Sequence, residues 1–384
     1  MKRVILILAI LLAAGCQKFE QTDNINVDYF TPITISVSND DADNTLAATR
    51  GSLVYSEADM GSLALYCAHY SADGSWSNTL TLTDFSKMNN TQYAYSGGSW
   101  SAVDGDVVWG YTSLTDKYTF YAYSPFAGEG ATSGITPTIS NGALSIKYTV
   151  PTDCASQPDL MIAAPRKDMY ATSTGVPLSF RHALASVSFS VQGTGTATIS
   201  SVSISGIVDE GILTWDDTEN APSWNIDGGA TSMDTFTAII ETEVTPDEDY
   251  ATQITTDTGY LMMIPQTIPD AGVTVTVTMS DTTTKELTII PSHTAAWEAG
   301  EQYNYTIGVE EGEDYVEVVA CFYEENTGTE SDPFLISNTF DLETLSNVVN
   351  NNSEITIKGT TEAKAYNGFG GYYFKMTNDI DLSV

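Results

Sequence analysis

The sequence predicts an all-β protein of the sandwich or barrel type. Three observations support this fold class. Thr, Ser, Tyr, Val and Ile are abundant, and this bias favours strands. Apolar and polar residues alternate in many short segments, as in Ile33-Thr34-Ile35-Ser36-Val37. Clusters of Gly, Asn, Asp and Ser separate these segments, which is typical of turns between short strands.

Alternation of this kind predicts further strands along the chain, and one helix is predicted near its end. The helix begins after Asp341, a suitable N-cap, because Leu342, Leu345 and Val349 fall on one helical face. The other predicted strands are Leu63–Tyr70, Tyr118–Tyr123, Leu144–Val150, Leu184–Val191, Ala197–Ile204, Val273–Met279 and Gln302–Val309.

The first residues predict export. Lys2 and Arg3 precede an apolar run, Val4–Ala14, which has the length of a signal-peptide core and is too short for a membrane span. The ending Leu12-Ala13-Ala14-Gly15-Cys16 resembles a bacterial lipobox, so residues 1–15 are predicted to be removed and Cys16 to carry a lipid anchor in the outer membrane. The alternative is an ordinary secretory signal with an incidental cysteine.

Composition excludes several classes of partner. Fifty Asp and Glu residues against fourteen Lys and Arg give a net charge of −36, so the net field repels nucleic acid and anionic lipid. With 42% hydrophobic and 17% charged residues, the chain is predicted to fold, and its 384 residues suggest two or three domains.

The remaining cysteines, Cys67, Cys154 and Cys321, are far apart and show no C-x-x-C spacing. We therefore expect buried free thiols and neither a disulfide framework nor a zinc site. Cys67 and His69 form a C-x-H spacing, for which a hydrogen-bonded histidine within a sheet is the better explanation. His182 is predicted to pack or to form hydrogen bonds.

No motif for catalysis is present: the sequence contains no G-x-S-x-G, P-loop or dinucleotide fingerprint, and no metal-binding histidine pair. We therefore predict no enzyme activity, no cofactor and no metal. The acidic clusters are predicted to be solvated turns. Trp76, Trp100 and Trp109 lie near Gly/Ser turns and could form a sugar-stacking platform, although packing within the sheets is the favoured interpretation.

One loop contains an arginine in an acidic setting. The polar segment Ser38–Asn44 leads to Ala47-Ala48-Thr49-Arg50-Gly51, and exposed polar loops are natural sites of proteolysis. On composition alone, a solvated loop without a further role is the favoured interpretation.

Four longer phrases follow one another along the chain. They are Phe120-Tyr121-Ala122-Tyr123-Ser124-Pro125-Phe126, Asp159-Leu160-Met161-Ile162-Ala163-Ala164, Val176-Pro177-Leu178-Ser179-Phe180-Arg181-His182-Ala183-Leu184-Ala185 and Trp297-Glu298-Ala299-Gly300-Glu301-Gln302-Tyr303-Asn304-Tyr305-Thr306-Ile307. In this order, they resemble the fimbrillin family of Bacteroidetes surface pilins, and the resemblance extends from about Phe30 to Val309.

The resemblance implies two tandem transthyretin-like (Greek-key) β-sandwich domains, residues 51–171 and 172–309, behind a propeptide-like segment, residues 16–50. It also implies that an arginine-specific protease cuts the loop, and Arg50-Gly51 stands at the expected place.

In that family the first strand is then released, and the C-terminal strand of a neighbouring subunit fills the groove. Here the released strand would contain Ile33, Ile35 and Val37. Such strand addition restores both the hydrogen bonds and the apolar contacts, and it generates a head-to-tail polymer.

Residues 310–384 depart from the pattern of a simple stalk subunit. They are predicted to form a linker (Glu310–Asp314), a candidate donor strand and a short α+β extension. The extension is similar to the opening unit of β-helix-like repeats in large bacterial surface proteins. The candidate donor residues are Val316, Val318 and Ala320.

The sequence thus predicts a structural, accessory or tip subunit of a fimbria that supports adhesion. The expected partners are other fimbrial subunits, the outer membrane through the lipid anchor, an arginine-specific protease, and host glycans or proteins. The alternative is a surface lipoprotein that binds carbohydrate or host proteins and does not polymerise.

Overall fold

The structure is a computed structural model. It describes residues 29–39, 56–71, 73–128, 133–193, 198–226, 234–240, 252–255, 259–291, 294–309, 314–318, 329, 333–336, 354–355, 364–365 and 373–376. Within these residues the only α-helix is the short α1 (Glu57–Met60), and two 3₁₀ turns span Leu82–Asp84 and Cys154–Ser156. The all-β fold class is confirmed, whereas the helix predicted after Asp341 lies outside the described residues.

Strands make up nearly all of the regular structure. In chain order they are β1 (Ile35–Asn39), β2 (Ser62–Tyr70), β3 (Met88–Ser96), β4 (Ser99–Ala102), β5 (Lys117–Ser124), β6 (Ile135–Ser140), β7 (Ala143–Thr149), β8 (Met161–Ala163), β9 (Arg166–Met169), β10 (Val176–His182), β11 (Ala185–Gly193), β12 (Ile199–Ser205), β13 (Glu210–Asp216), β14 (Ala221–Asn225), β15 (Phe236–Ala238), β16 (Thr252–Gln253), β17 (Leu261–Met263), β18 (Gln266–Thr267), β19 (Val273–Met279), β20 (Thr284–Ile289), β21 (Ala296–Trp297), β22 (Gln302–Val309), β23 (Asp314–Val318), β24 (Phe334–Ile336), β25 (Glu354–Ile355), β26 (Lys364–Ala365) and β27 (Phe374–Met376).

The predicted strands are found within a few residues of their expected bounds, and β19 and β22 match them at both ends. The first strand differs, because β1 begins two residues later than predicted, at Ile35. Ile33 instead donates its backbone N–H to the carbonyl of Val107, 2.7 Å away, and so belongs to a different pairing.

Four larger sheets organise these strands. The first has the order β1-β10-β8-β5-β2-β3-β4, with β9 also paired to β5. The others have the orders β14-β13-β7-β6, β16-β11-β22-β23 (with β17 on β11) and β15-β12-β19-β20. Three small two-stranded pairs complete the described fold: β18-β21, β24-β27 and β25-β26.

Alternate residues of the central strands face two different cores. Along β2, Leu63 and Leu65 enter one apolar cluster, whereas Ala64 and Tyr66 enter another. Because successive side chains of a strand point to opposite faces, a strand that is buried on both sides contributes to both clusters. We call the cluster that contains Leu63 and Leu65 the N-terminal cluster. Its buried members are Ile33, Met60, Leu63, Leu65, Cys67, Met88, Tyr93, Trp100, Trp109, Tyr118, Phe120, Ala122, Met161, Ala163, Ala171, Val176, Leu178 and Phe180.

Two of the sheets contain strands from both sides of residue 172, the predicted start of the second sandwich domain. β10 pairs with β8 in the first sheet, and β13 pairs with β7 in the second. The larger core cluster likewise contains residues from both sides. The division into domains at residues 51–171 and 172–309 stays a prediction.

Candidate functional site

The strand that was predicted to be released lies at an edge of the first sheet. β1 runs parallel to β10, with five register pairs from Ile35↔Val176 to Asn39↔Phe180. Just upstream, the Val176 N–H donates to the Thr34 carbonyl at 2.8 Å. β10 is the one sheet neighbour of β1 among the described residues.

The residues before β1 pair with a different segment. The N–H groups of Trp109 and Gly110 donate to the carbonyls of Thr31 and Tyr29, each at 3.0 Å. Pro32 and Val108 form an antiparallel bridge. The segment of residues 29–39, which we call the N-terminal segment, is therefore held on one side by residues 107–110 and further along by β10.

The side chains of the N-terminal segment alternate between core and solvent. Ile33 is 3% exposed and belongs to the N-terminal cluster, and Ile35 and Val37 are half-buried and pack against that cluster. Thr34 and Ser36 between them are exposed. The period-2 pattern thus gives the segment one apolar face, as predicted, and that face closes one side of the core.

The deepest part of this contact surrounds Ile33. The Tyr93 hydroxyl donates to the Ile33 carbonyl at 3.1 Å. Trp109 is fully buried, and its ring meets that of Tyr118 edge-on, with centroids 4.9 Å apart. The Tyr118 hydroxyl in turn donates to the Trp109 carbonyl at 2.8 Å. Aromatic packing therefore fixes the strand-like segment that pairs with residues 29–33.

A glycine allows β1 to approach the chain that leads into β10. Gly175 has φ = +84°, a conformation that favours glycine. A Cβ atom there would lie 3.3 Å from the carbonyl carbon of Ile35 and from the hydroxyl oxygen of Thr34. A side chain at position 175 would be strained and would crowd the N-terminal segment.

The buried carboxylate of Asp116 organises the turn that follows residues 107–110. Asp116 is 1% exposed, and its Oδ2 accepts hydrogen bonds from the Thr112 N–H at 2.6 Å and the Ser113 N–H at 3.2 Å. The Thr112 hydroxyl adds a third bond at 2.9 Å, and His69 Nε2 lies 3.0 Å away. Burial acts to raise the pKa of Asp116, but these hydrogen bonds outweigh it and hold the pKa below its usual range.

The candidate donor strand is present as an edge strand. β23 pairs antiparallel with β22, with Val316 opposite Ile307 and Val318 opposite Tyr305. It ends the sheet order β16-β11-β22-β23. Ala320, the third candidate donor residue, lies outside the described residues.

Three other predicted site residues also lie outside the described residues: Cys16, Arg50 and Gly51. The described chain leaves the first sheet after Asn39 and resumes at Ser56, whose hydroxyl accepts from the Asp59 N–H at the start of α1. Residues 40–55, which include Arg50, are thus the covalent connection between the N-terminal segment and the rest of the fold.

The two histidines within the described residues have structural partners. His69 stacks on Tyr118, with ring centroids 4.7 Å apart, in addition to its bond with Asp116. His182 Nδ1 lies 2.9 Å from Asp159 Oδ1. The predicted roles as sheet and hydrogen-bonding histidines are confirmed. Among the described residues, no group of three or more His, Cys, Asp or Glu side chains could hold a metal ion.

Two of the predicted free thiols are buried, as expected. Cys67 and Cys154 form no disulfide, and burial raises the pKa of Cys154 to about 11. A thiol of this kind is a poor nucleophile at neutral pH. Cys321 lies outside the described residues.

The tryptophans pack inside the sheets and form no exposed platform. Trp100 and Trp109 belong to the N-terminal cluster. Trp76 donates its indole N–H to the Gly142 carbonyl at 2.9 Å, and the Lys167 ammonium lies 3.9 Å above its ring. In the described part of the chain, no helix is long and apolar enough to cross a membrane.

Sequence reasoning missed the segment Val107–Gly110, which holds residues 29–33. The signal was present, because Val107-Val108-Trp109 is an apolar run between polar turns. This run does not predict a half-buried strand, because Val107, Val108 and Trp109 are consecutive apolar residues without alternation.

The family follows from the sequence match. Residues 72–322, more than half of the chain, match the family described as fimbrillin-like. The chain belongs to the fimbrillin-like family. This is a family of fimbrial and adhesion proteins, which agrees with the prediction of a protein that is not an enzyme. It supports a role in a cell-surface fimbrium, in association with other fimbrial subunits.

The chain is also similar, at low sequence identity, to several solved structures. A candidate cell adhesion protein from Bacteroides ovatus is 18% identical, with a TM-score of 0.48, over 76% of this chain and 96% of its own. A candidate cell adhesion protein from Bacteroides uniformis is 15% identical, with a TM-score of 0.44, over 75% and 96%. The tip fimbrial protein of Porphyromonas gingivalis, truncated at its C-terminus, is 8% identical, with a TM-score of 0.29, over 70% and 96%. No curated protein matches the sequence.

Proposed function

We propose that this chain is a fimbrial subunit that is exported as a lipoprotein, cut after Arg50 and assembled by donor-strand insertion. The observation that carries this proposal is the position of the N-terminal segment. It closes the core of the first sheet from an edge, and its covalent connection to the rest of the fold is the loop that contains Arg50.

Cleavage of that loop would leave the N-terminal segment held by non-covalent contacts alone. These are the backbone hydrogen bonds to residues 107–110 and to β10, together with the apolar contacts of Ile33, Ile35 and Val37. A backbone hydrogen bond contributes about 1 kcal/mol net, because water competes for the same groups. An edge strand can therefore be exchanged for another strand that restores the same bonds.

Release of the segment would also free the protein from its anchor. Cys16 precedes the segment and Arg50 follows it, so the lipid and the strand would leave together. The remaining body would expose unpaired backbone groups on β10 and an apolar strip beside Trp109. Such an edge accepts an extended strand with alternating apolar residues.

The candidate donor strand has the required pattern. Val316, Val318 and Ala320 alternate with Tyr315, Glu317 and Val319, and β23 lies at the edge of its own sheet. An edge strand loses the hydrogen bonds to one neighbouring strand before it can pair with a different strand. Insertion of this strand into the groove of a neighbour would repeat head to tail and form a filament.

The alternative of a non-polymerising, sugar-binding lipoprotein has less support. It depended on exposed tryptophans and on the repeat-like tail, but Trp100 and Trp109 are buried and the Lys167 ammonium lies over the ring of Trp76. We therefore give strand assembly as the proposed function.

The decisive substitution is Arg50→Ala. In cells of the producing bacterium, the variant should remain uncut and monomeric at the membrane, because an arginine-specific protease no longer recognises the loop. N-terminal sequencing of surface-released protein and electron microscopy of filaments measure the two effects.

The matched control is Thr49→Ala, which alters the neighbouring residue and keeps the arginine. It should be cut at Arg50-Gly51 and assemble like the wild type. Abundant filaments from the Arg50→Ala variant would show that the proposal is wrong.

A further inference from the structure

The C-terminal region contains an internal repeat with an offset of 40 positions. Phe334–Leu342 (FLISNTFDL) aligns with Phe374–Leu382 (FKMTNDIDL) without a gap. Both copies have phenylalanine at the first place, asparagine at the fifth, aspartate at the eighth and leucine at the ninth. The third and seventh places are apolar in both copies, and the fourth carries a hydroxyl group.

The structure pairs the beginnings of the two copies with each other. β24 and β27 lie side by side in parallel, with the register Phe334↔Phe374, Leu335↔Lys375 and Ile336↔Met376. The offset of this register is the same 40 positions as that of the sequence repeat. Equivalent residues of successive copies thus stack on one another, as in the rungs of a solenoid.

This pair is incomplete as a sheet. Each strand contributes three residues, and each has the other as its one sheet neighbour among the described residues. Parallel strands usually occur in sheets that are covered on both faces, and repeats of this kind usually need three or more units for stability. The nine residues that lie 40 positions before the first copy, 294–302, have none of the four shared residues. β24 therefore has no repeat neighbour from the chain that precedes it.

We propose that the open edge of β24 is an interaction surface for β27 of a second copy of this chain. The occupant follows from the repeat, because β24 already accepts a β27 strand in register on its other side. A second copy presents the same strand with the same residues, so the register is specified by the motif. This pairing joins the edge of β24 in one copy to the edge of β27 in the next copy. Because the two edges differ, the arrangement is head to tail and can continue from copy to copy.

This interaction is separate from the proposed strand donation. It involves β24 and β27, and neither the N-terminal segment nor β23 takes part. It therefore requires no cleavage at Arg50, and the two proposals can be tested apart.

Disulfide trapping between two variants tests the interaction. The full chain is prepared with Arg50→Ala, so that it stays uncut, and with Cys16→Ser and Cys321→Ser, which leaves the buried Cys67 and Cys154. One preparation carries Leu335→Cys and the other carries Lys375→Cys. After mixing and mild oxidation, we expect a disulfide-linked heterodimer, because Leu335 of one copy would lie beside Lys375 of the next.

The matched control replaces Lys375→Cys by Tyr373→Cys, an exposed position two residues away. In the proposed register this cysteine lies out of reach of position 335, since disulfides do not span Cα atoms more than about 7 Å apart, so the mixture with Lys375→Cys should give about tenfold more heterodimer. Sedimentation of the parent without an introduced cysteine should show species larger than a dimer as the concentration rises.

A single chain that carries both Leu335→Cys and Lys375→Cys reports whether the tail forms its own pair. An internal disulfide in that chain, with no more heterodimer in the mixture than in the offset control, would overturn the proposal. Absence of any disulfide in that chain, either internal or between copies, would overturn it as well. A closed dimer that does not grow with concentration would indicate exchange of strands and would exclude the open edge.

Discussion

The two long parallel ladders of this protein, β11–β22 and β1–β10, are built differently. The ladder of β11 and β22 has eight register pairs, and β11 has further neighbours, β16 and β17, on its other side. The ladder of β1 and β10 has five register pairs, and β1 forms the edge of its sheet. Parallel pairing alone therefore does not tell whether a strand is a permanent part of the core.

Burial separates the two strands more clearly. In β11 both faces are buried: Val187 and Phe189 are inaccessible to solvent, and Ser188 between them is 4% exposed. In β1 the apolar face, with Ile35 and Val37, is half-buried and the other face is exposed. Removal of β11 would expose buried residues on both of its faces, whereas removal of β1 would expose buried residues on one face. This difference makes β1 suitable for exchange and β11 unsuitable.

The largest expected effect comes from fixing β1 to its neighbour. Ser38 and Ser179 are register partners, and the Ser38 hydroxyl donates to that of Ser179 at 3.3 Å. Neighbouring strands bring Cα atoms within the range of a disulfide, so the double variant Ser38→Cys/Ser179→Cys should form one. Filament assembly should then be lost under oxidising conditions and recover on reduction, as measured by electron microscopy.

Each single variant, Ser38→Cys or Ser179→Cys, serves as the control and should assemble with or without oxidant. Assembly of the oxidised double variant at the wild-type level would mean that β1 need not leave the sheet. The comparison between an exchangeable and a permanent ladder would then fail.

A pair of core substitutions measures the same difference as free energy of unfolding. Phe189→Ala in β11 should lower it by about 3–5 kcal/mol, because a large side chain is lost from a fully enclosed site. Ile35→Ala in β1 should cost about 1–2 kcal/mol, since its side chain is half-buried. Denaturant unfolding of the uncut protein gives both values, and Ser36→Ala, on the exposed face of β1, should lie near the wild type. Equal losses from Phe189→Ala and Ile35→Ala would argue against an edge strand that is loosely held.

The sequence predicted which face of a strand is apolar better than it predicted which strands pair with each other. The alternating segment Val273–Met279 predicts β19 over its full length, because alternation is a local property of one half-buried strand. The pairing of β1 with β10 joins residues about 140 positions apart, and nothing in either strand specifies the other. The same holds for β7 and β13, whose pairing crosses the predicted domain boundary.

The same limit applies to the candidate site: its local pattern could be predicted from the sequence, and its tertiary contacts could not. Ile33, Ile35 and Val37 could be identified from their spacing, and the structure confirms that they share the core-facing side. Trp109 lies in a short apolar run and Tyr118 begins a predicted strand, but neither pattern indicates that these residues hold the other end of the N-terminal segment. Their role depends on an edge-on ring contact and on a hydroxyl that reaches the Trp109 carbonyl, and both arise from tertiary packing.

The smallest expected effect concerns the turn organised by Asp116, which follows residues 107–110, and this effect depends on pH. The hydrogen bonds that lower the pKa of Asp116 stabilise the folded state when the carboxylate is ionised. This contribution is complete above the pKa of an unfolded aspartate, about 3.9, and is lost as the pH falls through the lower folded value. Asp116→Asn should therefore lower the free energy of unfolding by about 1–2 kcal/mol at pH 7 and flatten its decline in acid.

Denaturant unfolding at several pH values checks this, with Asp104→Asn, an exposed aspartate in a neighbouring turn, as the control. An acid decline of the same steepness in the Asp116→Asn variant and the wild type would exclude Asp116 as its source. Because residues 107–110 directly precede this turn, acid should loosen the hold on residues 29–33 before it affects the ladder of β11 and β22. Hydrogen exchange of the Trp109 amide, compared with that of Ser186, whose N–H donates to the Glu301 carbonyl next to β22, would resolve the two regions within one protein.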